Sequence, residues 1–495
     1  MDREIELKFL IAPEAADQIL SLLDGESDVR QLDATYFDTV DHALRKAGFG
    51  LRVRDGEGGR KQTLKSASAG GVFSRGEWET PIAGPGPDQK ALAATPAAAV
   101  LNGQALQPVF TTQVERIVRL VRRGETVIEA VVDRGALIAG SRRAVVCELE
   151  LELKSGSPSA LFELARDVAR QVPLRLSLVS KAERGYGLAN AAAGPPGRRS
   201  AVRLDPAMTV EQALHAAGRE ALTHLCASAD TLRDRPGPEG VHQLRVAVRR
   251  TRSLLKTFKP LAVDAAARSL ALELKWLAGE LDAARNLDVF VADVWRPASE
   301  AEPAQDLAAF GRALLEAQAQ AYRRVEAALE SPRQRALLLE TAAWLEAGAW
   351  TTEPALDAVR HRPAAGFAGE ILDHMRQVVI ERGGSLDEME PEARHRLRLK
   401  GKTLRYAAED LAGLFPEHPR RVERFIAAAK ALQDALGDLN DRAARARLAR
   451  EVATAHGEPE AAFAAGRLTA CGDDAEALGR ARKAYATLAA AKVFW

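Results

Sequence analysis

The chain of 495 residues is poor in the features that mark disulfide-rich, zinc-thiolate and membrane proteins. Its three cysteines, Cys147, Cys226 and Cys471, stand far apart, and none belongs to a CxxC pair. This spacing argues against a zinc ribbon and against a disulfide framework. Isolated thiols are typical of a reducing compartment, so we expect a cytoplasmic protein. No segment approaches the run of about 18 apolar residues that a membrane-spanning helix needs, and no membrane partner is expected.

An excess of charge of one sign is also lacking. Lys and Arg together number 69, and Asp and Glu together number 68. This balance excludes no class of partner by itself, so a site for a polyanion has to come from local patterning. We expect no nucleic-acid partner. The charged N-terminus lacks the apolar segment of a secretory signal, so export is not expected either.

The two halves of the chain follow different periodicities. Residues 1–190 contain segments that alternate apolar and polar residues, among them Phe49–Arg54, Val127–Asp133 and Val145–Lys154, and this predicts β-strands. Helical patterns over Ala12–Leu23 and Ser159–Val172 interrupt the strands. This half is therefore predicted to be an α+β domain.

The composition and periodicity of the second half predict an all-α domain. Residues 191–204 begin with the sequence AAAGPPGRRS, whose Pro and Gly residues favour neither helix nor strand, and they are predicted to form a linker. Residues 205–495 are rich in Ala, Leu, Arg and Glu with a period near 3.6, which indicates helices.

Charged residues share one face of several predicted strands. Successive side chains of a strand point to opposite faces, so Glu4, Glu6 and Lys8 lie on the same side. The same holds for three other groups: Arg52 with Arg54, Glu77 with Glu79, and Glu148 with Glu150 and Glu152. A solvated sheet face explains one such strand. Several of them, with both signs of charge, favour a closed barrel with a charged lumen.

Clusters of acids and bases in one lumen suit phosphate chemistry. Carboxylate oxygens bind hard cations such as Mg²⁺ or Mn²⁺. Arg and Lys bind phosphate oxygens, Arg through its fork and Lys as a point charge. Phosphoryl transfer needs both kinds of group, because the cation and the basic residues neutralise charge on the phosphate chain.

The order of motifs in residues 1–190 resembles the CYTH domain of the triphosphate tunnel metalloenzymes. The motifs are EIELK at Glu4–Lys8, YFDT at Tyr36–Thr39, GLRVR at Gly50–Arg54, QTLK at Gln62–Lys65, RGEWE at Arg75–Glu79, ERIVR at Glu115–Arg119, VVDRG at Val131–Gly135, ELELELK at Glu148–Lys154 and SKAERGY at Ser180–Tyr186. The resemblance implies a closed antiparallel eight-stranded β-tunnel that cleaves triphosphates with Mg²⁺ or Mn²⁺.

The resemblance also implies roles for individual residues. The metal ligands would be Glu4, Glu6, Asp133, Glu148, Glu150 and Glu152. The residues that bind the triphosphate would be Lys8, Arg52, Arg54, Lys65, Arg116 and Lys181. Glu152 is the weakest candidate for a metal ligand, because its position is explained equally well by pairing with a tunnel arginine. Glu77 and Glu79 are expected to pair with basic tunnel residues, and Lys154 and Arg184 have a solvent-exposed interpretation beside a functional one.

The helical half contains an internal repeat that carries a row of basic residues, here termed the basic stripe. The segment HQLRVAVRRTRSLL begins at His242, and HRLRLKGKTLRYAA begins at His395. In a helix the basic positions of the first copy fall within an arc of roughly 80°. No acid interrupts residues 242–259, although a solvated helix face normally mixes both signs. This pattern favours an anion groove over a solvated face.

Residues 205–495 resemble the CHAD domain, an α-helical module that binds inorganic polyphosphate. By this resemblance the domain would consist of two repeated helical bundles. The polyphosphate-binding residues would be His242, Arg245, Arg249, Arg252, Lys256, His395, Arg398, Lys402 and Arg405. The second repeat has Lys402 where the first has Arg249, which keeps the charge but loses the guanidinium fork.

The leading hypothesis is a metal-dependent hydrolase that converts inorganic triphosphate to pyrophosphate and phosphate, with a helical domain that binds polyphosphate. Two alternatives stay open. The first is an organic triphosphatase, acting on thiamine triphosphate or a nucleoside triphosphate, or an adenylyl cyclase. The second is a non-catalytic polyphosphate-binding adaptor. The expected location is the cytoplasm, which is compatible with association with polyphosphate granules.

Overall fold

The computed structural model describes residues 5–56, 59–66, 76–190, 202–470 and 474–495. Its contacts divide the chain into two compact units. The first unit comprises Met1–Arg198 and Arg335–Gly348, and the second comprises Arg199–Gln334 and Ala349–Trp495. Residues 191–201 of the linker predicted over residues 191–204 lie outside the described residues. In the first unit Arg166 donates two hydrogen bonds, of 2.7 and 2.8 Å, to the carboxylate of Glu340.

An antiparallel nine-stranded sheet forms the first unit, in the order β5-β4-β3-β2-β6-β7-β8-β1-β9. The strands are β1 Ile5–Leu10, β2 Asp28–Asp38, β3 Phe49–Asp55, β4 Lys61–Ser66, β5 Glu77–Pro81, β6 Gln107–Arg123, β7 Thr126–Ala139, β8 Arg142–Ser155 and β9 Arg175–Leu176. The helices are α1 Ala16–Leu22, α2 Ala43–Lys46, α3 Gln89–Ala93, α4 Ala97–Leu101, α5 Pro158–Ala169 and α6 Lys181–Ala189. The three strands predicted by name are confirmed. The two predicted helices are present but shorter, as α1 and α5.

The strand register places the predicted charged residues on one face of the sheet, here termed the charged face. Glu150 of β8 lies opposite Lys8 of β1, and Glu148 lies opposite Asp133 of β7. On the reverse face Leu7, Leu149 and Leu151 are fully buried. The period-two pattern therefore predicted the faces correctly, because burial of one face fixes the register of every strand.

The prediction of a closed eight-stranded tunnel was wrong. The sheet has nine strands, and β5 and β9 are its two edges, with no pairing between them among the described residues. The ninth strand, β9, spans only two residues and pairs with β1, so it is too short to produce a periodic signal. Alternation defines the buried face of a strand, whereas closure depends on strand number and stagger, which alternation does not encode.

Helix α6 is fitted onto the sheet by the SKAERGY motif. The hydroxyl of Ser180 accepts a hydrogen bond from the backbone N–H of Glu183, and the Glu183 carboxylate accepts one from the backbone N–H of Ser180, forming a capping box. The hydroxyl of Tyr186 donates to Asp38 at 2.8 Å. Gly185 faces the ring of Phe110 so closely that a Cβ atom would lie 2.1 Å from a ring carbon. The motif thus sets both the start of α6 and its distance from the sheet.

The second unit is built from helices, which agrees with the predicted all-α half. They are α7 Val210–Asp234, α8 Pro238–Thr257, α9 Ala265–Phe290, α10 Arg296–Ala301, α11 Gln305–Glu330, α13 Asp357–Arg360, α14 Ala364–Gly383, α15 Pro391–Leu411, α16 Pro419–His456, α17 Pro459–Thr469 and α18 Asp474–Ala490; α12 spans Pro332–Ala347, most of which belongs to the first unit. Helices α8 and α15 carry the two copies of the repeat. None of the helices in the described part of the chain is long and apolar enough to span a membrane.

Adding a methyl group at Gly185 should destabilise the first unit. Gly185→Ala forces α6 away from Phe110, and overpacking of this kind costs about 1–3 kcal/mol in the free energy of unfolding. The matched control is Gly187→Ala on the same helix, where a Cβ atom meets nothing within 4 Å. The free energy of unfolding of Gly187→Ala should rise by about 0.5–1 kcal/mol, because alanine has a higher helix propensity than glycine. Urea unfolding of both variants measures the difference, and equal stabilities would contradict the packing of α6.

Candidate functional site

Three buried carboxylates surround one lysine on the charged face. Asp133, Glu148 and Glu150 form the acidic cluster, and one oxygen of each lies within 4.8 Å of the other two. The ammonium of Lys181, the first residue of α6, lies 2.7 Å from Asp133, 2.6 Å from Glu148 and 2.8 Å from Glu150. Asp133 and Glu148 have no exposed surface. The capping box of α6 is what holds Lys181 at this position.

Two members of the acidic cluster, Asp133 and Glu150, stay ionised because of their cationic neighbours. Burial by itself would raise the pKa of Glu150, but Lys181, Lys8 and Arg116 hold that pKa well below its ordinary value. Burial likewise opposes ionisation of Asp133, and Lys181 and Arg116 lower its pKa. Burial would lower the pKa of Lys181, yet the three carboxylates raise it well above the usual range. Each charge is therefore maintained by the opposite one.

Further charged residues enclose the acidic cluster. Arg116 of β6 contacts Asp133 through two hydrogen bonds, of 2.8 and 2.7 Å, and Glu150 through one of 3.0 Å. Lys8 lies 2.9 Å from Glu150 and 3.6 Å from Glu6. Glu6 therefore belongs to the rim of this network.

Two residues for which the sequence left two interpretations open differ in their contacts with the acidic cluster. Arg184, which had an exposed interpretation as well as a functional one, contacts Glu148 and donates to the carbonyl of Val145 at 2.9 Å. Glu152 pairs with Lys154 at 2.6 Å instead of joining the acidic cluster. Glu4 lies outside the described residues.

A basic group occupies strands β3 and β4 of the same face. Lys65 pairs with Glu77 at 3.0 Å, and Arg54 lies 3.7 Å from Glu79, as expected for these two glutamates. Burial and then the neighbouring Arg52 and Arg116 lower the pKa of Arg54. Like charges are therefore crowded here, which favours an anion.

Arg52 is the member of this group with unused hydrogen-bonding capacity. Its Nε is buried and has no hydrogen-bond partner among the described residues. A buried unsatisfied donor is costly, and an oxyanion beside it would remove that cost. This donor points to phosphate binding more directly than the charge pattern does.

The acidic cluster fits a divalent cation. Three carboxylate oxygens within 4.8 Å, in a buried setting, are a donor set that Mg²⁺ and Mn²⁺ favour. The phosphate-binding residues predicted from the sequence lie on the same face, beside this donor set. The arrangement can therefore bring a cation and a phosphate chain together.

The basic stripe of the second unit has fewer acidic partners. Arg245 of α8 pairs with Asp282 at 2.7 Å, and Arg398 of α15 lies 3.5 Å from Asp441. The Nε of Arg398 is buried and has no hydrogen-bond partner in the described structure. In addition to burial, Arg249, Arg285 and Arg398 lower the pKa of Arg245, which only Asp282 opposes.

Other members of the basic stripe differ in their surroundings and in their contacts with neighbouring residues. Partial burial of the ammonium and then Arg252 and Lys400 lower the pKa of Lys256. Burial and then Arg285 lower the pKa of His242. Arg405 is held by Gln433 at 2.9 Å and by Glu409, so it supports the fold more than the groove.

Two residues of this region did not stand out in the sequence. Tyr406 is 1% exposed, accepts a hydrogen bond of 2.6 Å from Nε of Arg249, and has Arg250 4.5 Å above its ring. Arg285 of α9 acts on both His242 and Arg245. The signal for Tyr406 was its position one turn after Lys402. Arg285 comes from a helix without a copy of the basic repeat, so the repeat did not reveal it.

Two family models match separate parts of the chain. The model described as CYTH domain matches residues 2–186, and the model described as CHAD domain matches residues 216–450. The first match covers the charged face, and the second covers both helices of the basic stripe.

A curated relative and a solved structure agree with these matches. The inorganic triphosphatase of Haemophilus influenzae is 33% identical over 201 residues, which is 38% of this chain and 55% of that protein. The chain thus spans about half the length of this curated relative. The crystal structure of the CHAD domain from the plant Ricinus communis is similar at a TM-score of 0.51 and 28% identity, over 61% of this chain and 98% of that one.

Removing the central ammonium should destabilise the first unit at neutral pH. Lys181→Met leaves three buried carboxylates without their common partner, which costs about 3–5 kcal/mol. Because the folded-state pKa values of Glu150 and Asp133 are lowered, their contribution to stability is present above the ordinary carboxyl pKa and is lost as pH falls. The difference in the free energy of unfolding between the parent protein and the variant should therefore narrow as pH falls below about 4.

The matched control is Lys154→Met, which removes a lysine from between Glu129 and Glu152. That pair of contacts is partly exposed, at 3.2 and 2.6 Å, and should contribute no more than about 1 kcal/mol. Urea unfolding at about pH 7 and about pH 3 compares the variants. Equal losses in the free energy of unfolding for both variants at both pH values would contradict the central role of Lys181.

Proposed function

Because the chain carries a CYTH domain followed by a CHAD domain, we propose that it hydrolyses inorganic triphosphate on the charged face and binds inorganic polyphosphate through the basic stripe. The observation that carries the first part is the meeting of two opposite groups on one sheet face. One is the acidic cluster, and the other is the crowded basic group around Arg52 and Arg54. The 33% identity to an inorganic triphosphatase supports the choice of substrate.

The acidic residues are assigned to a divalent cation. Asp133, Glu148 and Glu150 would hold Mg²⁺ or Mn²⁺. Glu6, which contacts Lys8, and Glu152, which pairs with Lys154, would be more distant members. Glu4 is assigned to the cation by the resemblance of its motif alone. When bound, the cation neutralises charge on the phosphate oxygens. Lys181 and Arg116 keep Asp133 and Glu150 ionised, which is the form that binds a cation.

The basic residues are assigned to the phosphate chain. Arg52, Arg54, Lys65 and Arg116 would bind its oxygens, with the free Nε of Arg52 donating to one of them. Water attacks the terminal phosphorus, the bond to the bridging oxygen breaks, and pyrophosphate and phosphate leave. The basic residues stabilise the charge that accumulates on the departing oxygen. Three cations, Lys8, Arg116 and Lys181, are shared between the acidic cluster and the substrate.

The basic stripe is assigned to polyphosphate because its cations outnumber the acids that contact them. Arg245 and Arg398 each have one carboxylate partner, and the Nε of Arg398 is buried without a partner among the described residues. A row of crowded cations on two neighbouring helices favours a long anion with repeated charges. His242, Arg252, Lys256, His395 and Lys402 extend this row along both helices.

Phosphate release from tripolyphosphate tests the first assignment. With Mg²⁺ or Mn²⁺ we expect release that exceeds release from ATP and thiamine triphosphate. Glu150→Gln should lower the rate by about 100-fold and weaken the thermal shift produced by Mn²⁺, since it removes a charged oxygen from the acidic cluster. The control Glu129→Gln changes a glutamate paired with Lys154 and should leave the rate unchanged.

The outcomes of this assay separate the alternatives. Preference for ATP or thiamine triphosphate would replace the inorganic substrate by an organic one. Absence of hydrolysis of all three substrates, together with binding of polyphosphate, would favour the adaptor. An unchanged rate for Glu150→Gln would contradict the metal assignment.

Binding of long-chain polyphosphate tests the second assignment. The double variant Arg245→Ala with Arg398→Ala should lose at least about 100-fold in affinity for polyphosphate, because two charge-assisted contacts of about 1.5–3 kcal/mol each are removed. A matched double control, Arg312→Ala with Arg447→Ala, removes two exposed arginines of the same unit. Tripolyphosphate hydrolysis should be unaffected in both. Equal affinity of the two double variants would contradict the role of the basic stripe.

A further inference from the structure

The two copies of the repeat differ at one matched position of the basic stripe. Arg249 of α8 corresponds to Lys402 of α15. An arginine stays protonated throughout the physiological range, whereas a buried lysine can lose its proton. The two helices therefore offer the same charge at low pH but respond differently when pH rises.

Lys402 is surrounded by cations. Arg398 precedes it by one turn of α15, so their side chains are neighbours. Arg245 and Arg249 of α8 also act on it, and the one acid that does so strongly is Asp441 of α16. That carboxylate lies 3.5 Å from Arg398, and no ion pair of Lys402 occurs in the described part of the chain. Burial and then these cations lower the pKa of Lys402 to about 7.

The crowding is built into the packing of the two helices. Nε of Arg249 donates to the buried hydroxyl of Tyr406 at 2.6 Å, one turn beyond Lys402. The neighbouring Arg250 is anchored to Asp410 at 3.0 Å. Because Tyr406 and Asp410 belong to α15, these contacts hold the basic face of α8 against Lys402. The cations cannot separate without breaking them.

Helix α14 also packs against α15, and the charged groups of α14 have partners other than Lys402. On α14, Glu370 pairs with Arg362 at 2.6 Å, and Asp373 accepts from the indole of Trp495 at 2.8 Å. The remaining charged or titratable side chains of α14 are bonded to other groups or exposed, namely Arg376, Glu381, His374 and Arg382. The neighbours from α8, α15 and α16 therefore dominate the environment of Lys402.

We propose that Lys402 takes up a proton when the basic stripe binds polyphosphate, so that affinity for polyphosphate falls as pH rises above neutrality. This inference rests on the polyphosphate binding proposed above. A polyanion at the stripe places negative charge beside Lys402 and favours its ammonium form. By linkage, the proton that binds with the anion makes anion binding weaker when protons are scarce.

The histidines of the stripe respond in a lower pH range. Burial and then Arg398 and Lys402 lower the pKa of His395, and burial and then Arg285 lower that of His242. Both imidazoles are therefore neutral in the free protein above about pH 7. A decrease in affinity for polyphosphate that continues up to about pH 9 is therefore attributed to Lys402.

Lys402→Arg tests the inference because it keeps the charge and removes the titration. Affinity for long-chain polyphosphate would be measured calorimetrically between about pH 7 and pH 9. For the parent protein we expect affinity to fall by up to about tenfold per pH unit, the limit for one linked proton. The variant should show a flatter dependence and higher affinity near pH 9. Lys400→Arg, two residues away on the exposed side, should retain the parent's dependence.

Proton uptake gives a second readout. Binding heats in two buffers of different ionisation enthalpy report the number of protons taken up, and Lys402→Arg should take up fewer than the parent and Lys400→Arg. Equal proton uptake and equal pH dependence in all three proteins would overturn the inference and leave polyphosphate binding intact. Absence of polyphosphate binding by all three at every pH would overturn the proposed binding function itself.

Discussion

The first unit depends on the contact between one ammonium and three buried carboxylates. Asp133 and Glu148 face each other on neighbouring strands, with Glu150 beside them, and such a group cannot stay ionised in a dry setting without cations. Lys181 supplies the central charge, and it does so from a helix whose position is set elsewhere. The capping box at Ser180 therefore supports the chemistry of the site as well as the helix.

The second unit shows the opposite arrangement of charge. Cations from α8 and α15 are brought together with few carboxylates between them, so part of their repulsion is left uncompensated. Tyr406 makes this possible, because its hydroxyl and ring hold Arg249 and Arg250 in place. In the sheet opposite charges stabilise one another, whereas α8 and α15 bring like charges together, and the polyphosphate binding proposed above rests on this crowding.

The sequence predicted the charged face well because alternation is a local property. Lys8, Asp133 and Glu150 lie where the period-two pattern placed them, and the register brings them together. It predicted less well which residues pair. Glu152 contacts Lys154, and Arg405 contacts Glu409, because such pairs depend on side-chain reach within the folded unit. The prediction that the sheet closes was wrong for a similar reason, since closure depends on the whole sheet.

By itself the sequence determined which faces of the strands and helices carry charge, and the motif order determined the two families. These properties depend on spacing along the chain, with periods of two and 3.6. Only the tertiary structure decided that Lys181 reaches the acidic cluster, that the sheet is open, and that Lys402 is crowded by α8. Burial and the approach of distant segments set those features, because the strength of a charge depends on its surroundings as much as on its identity.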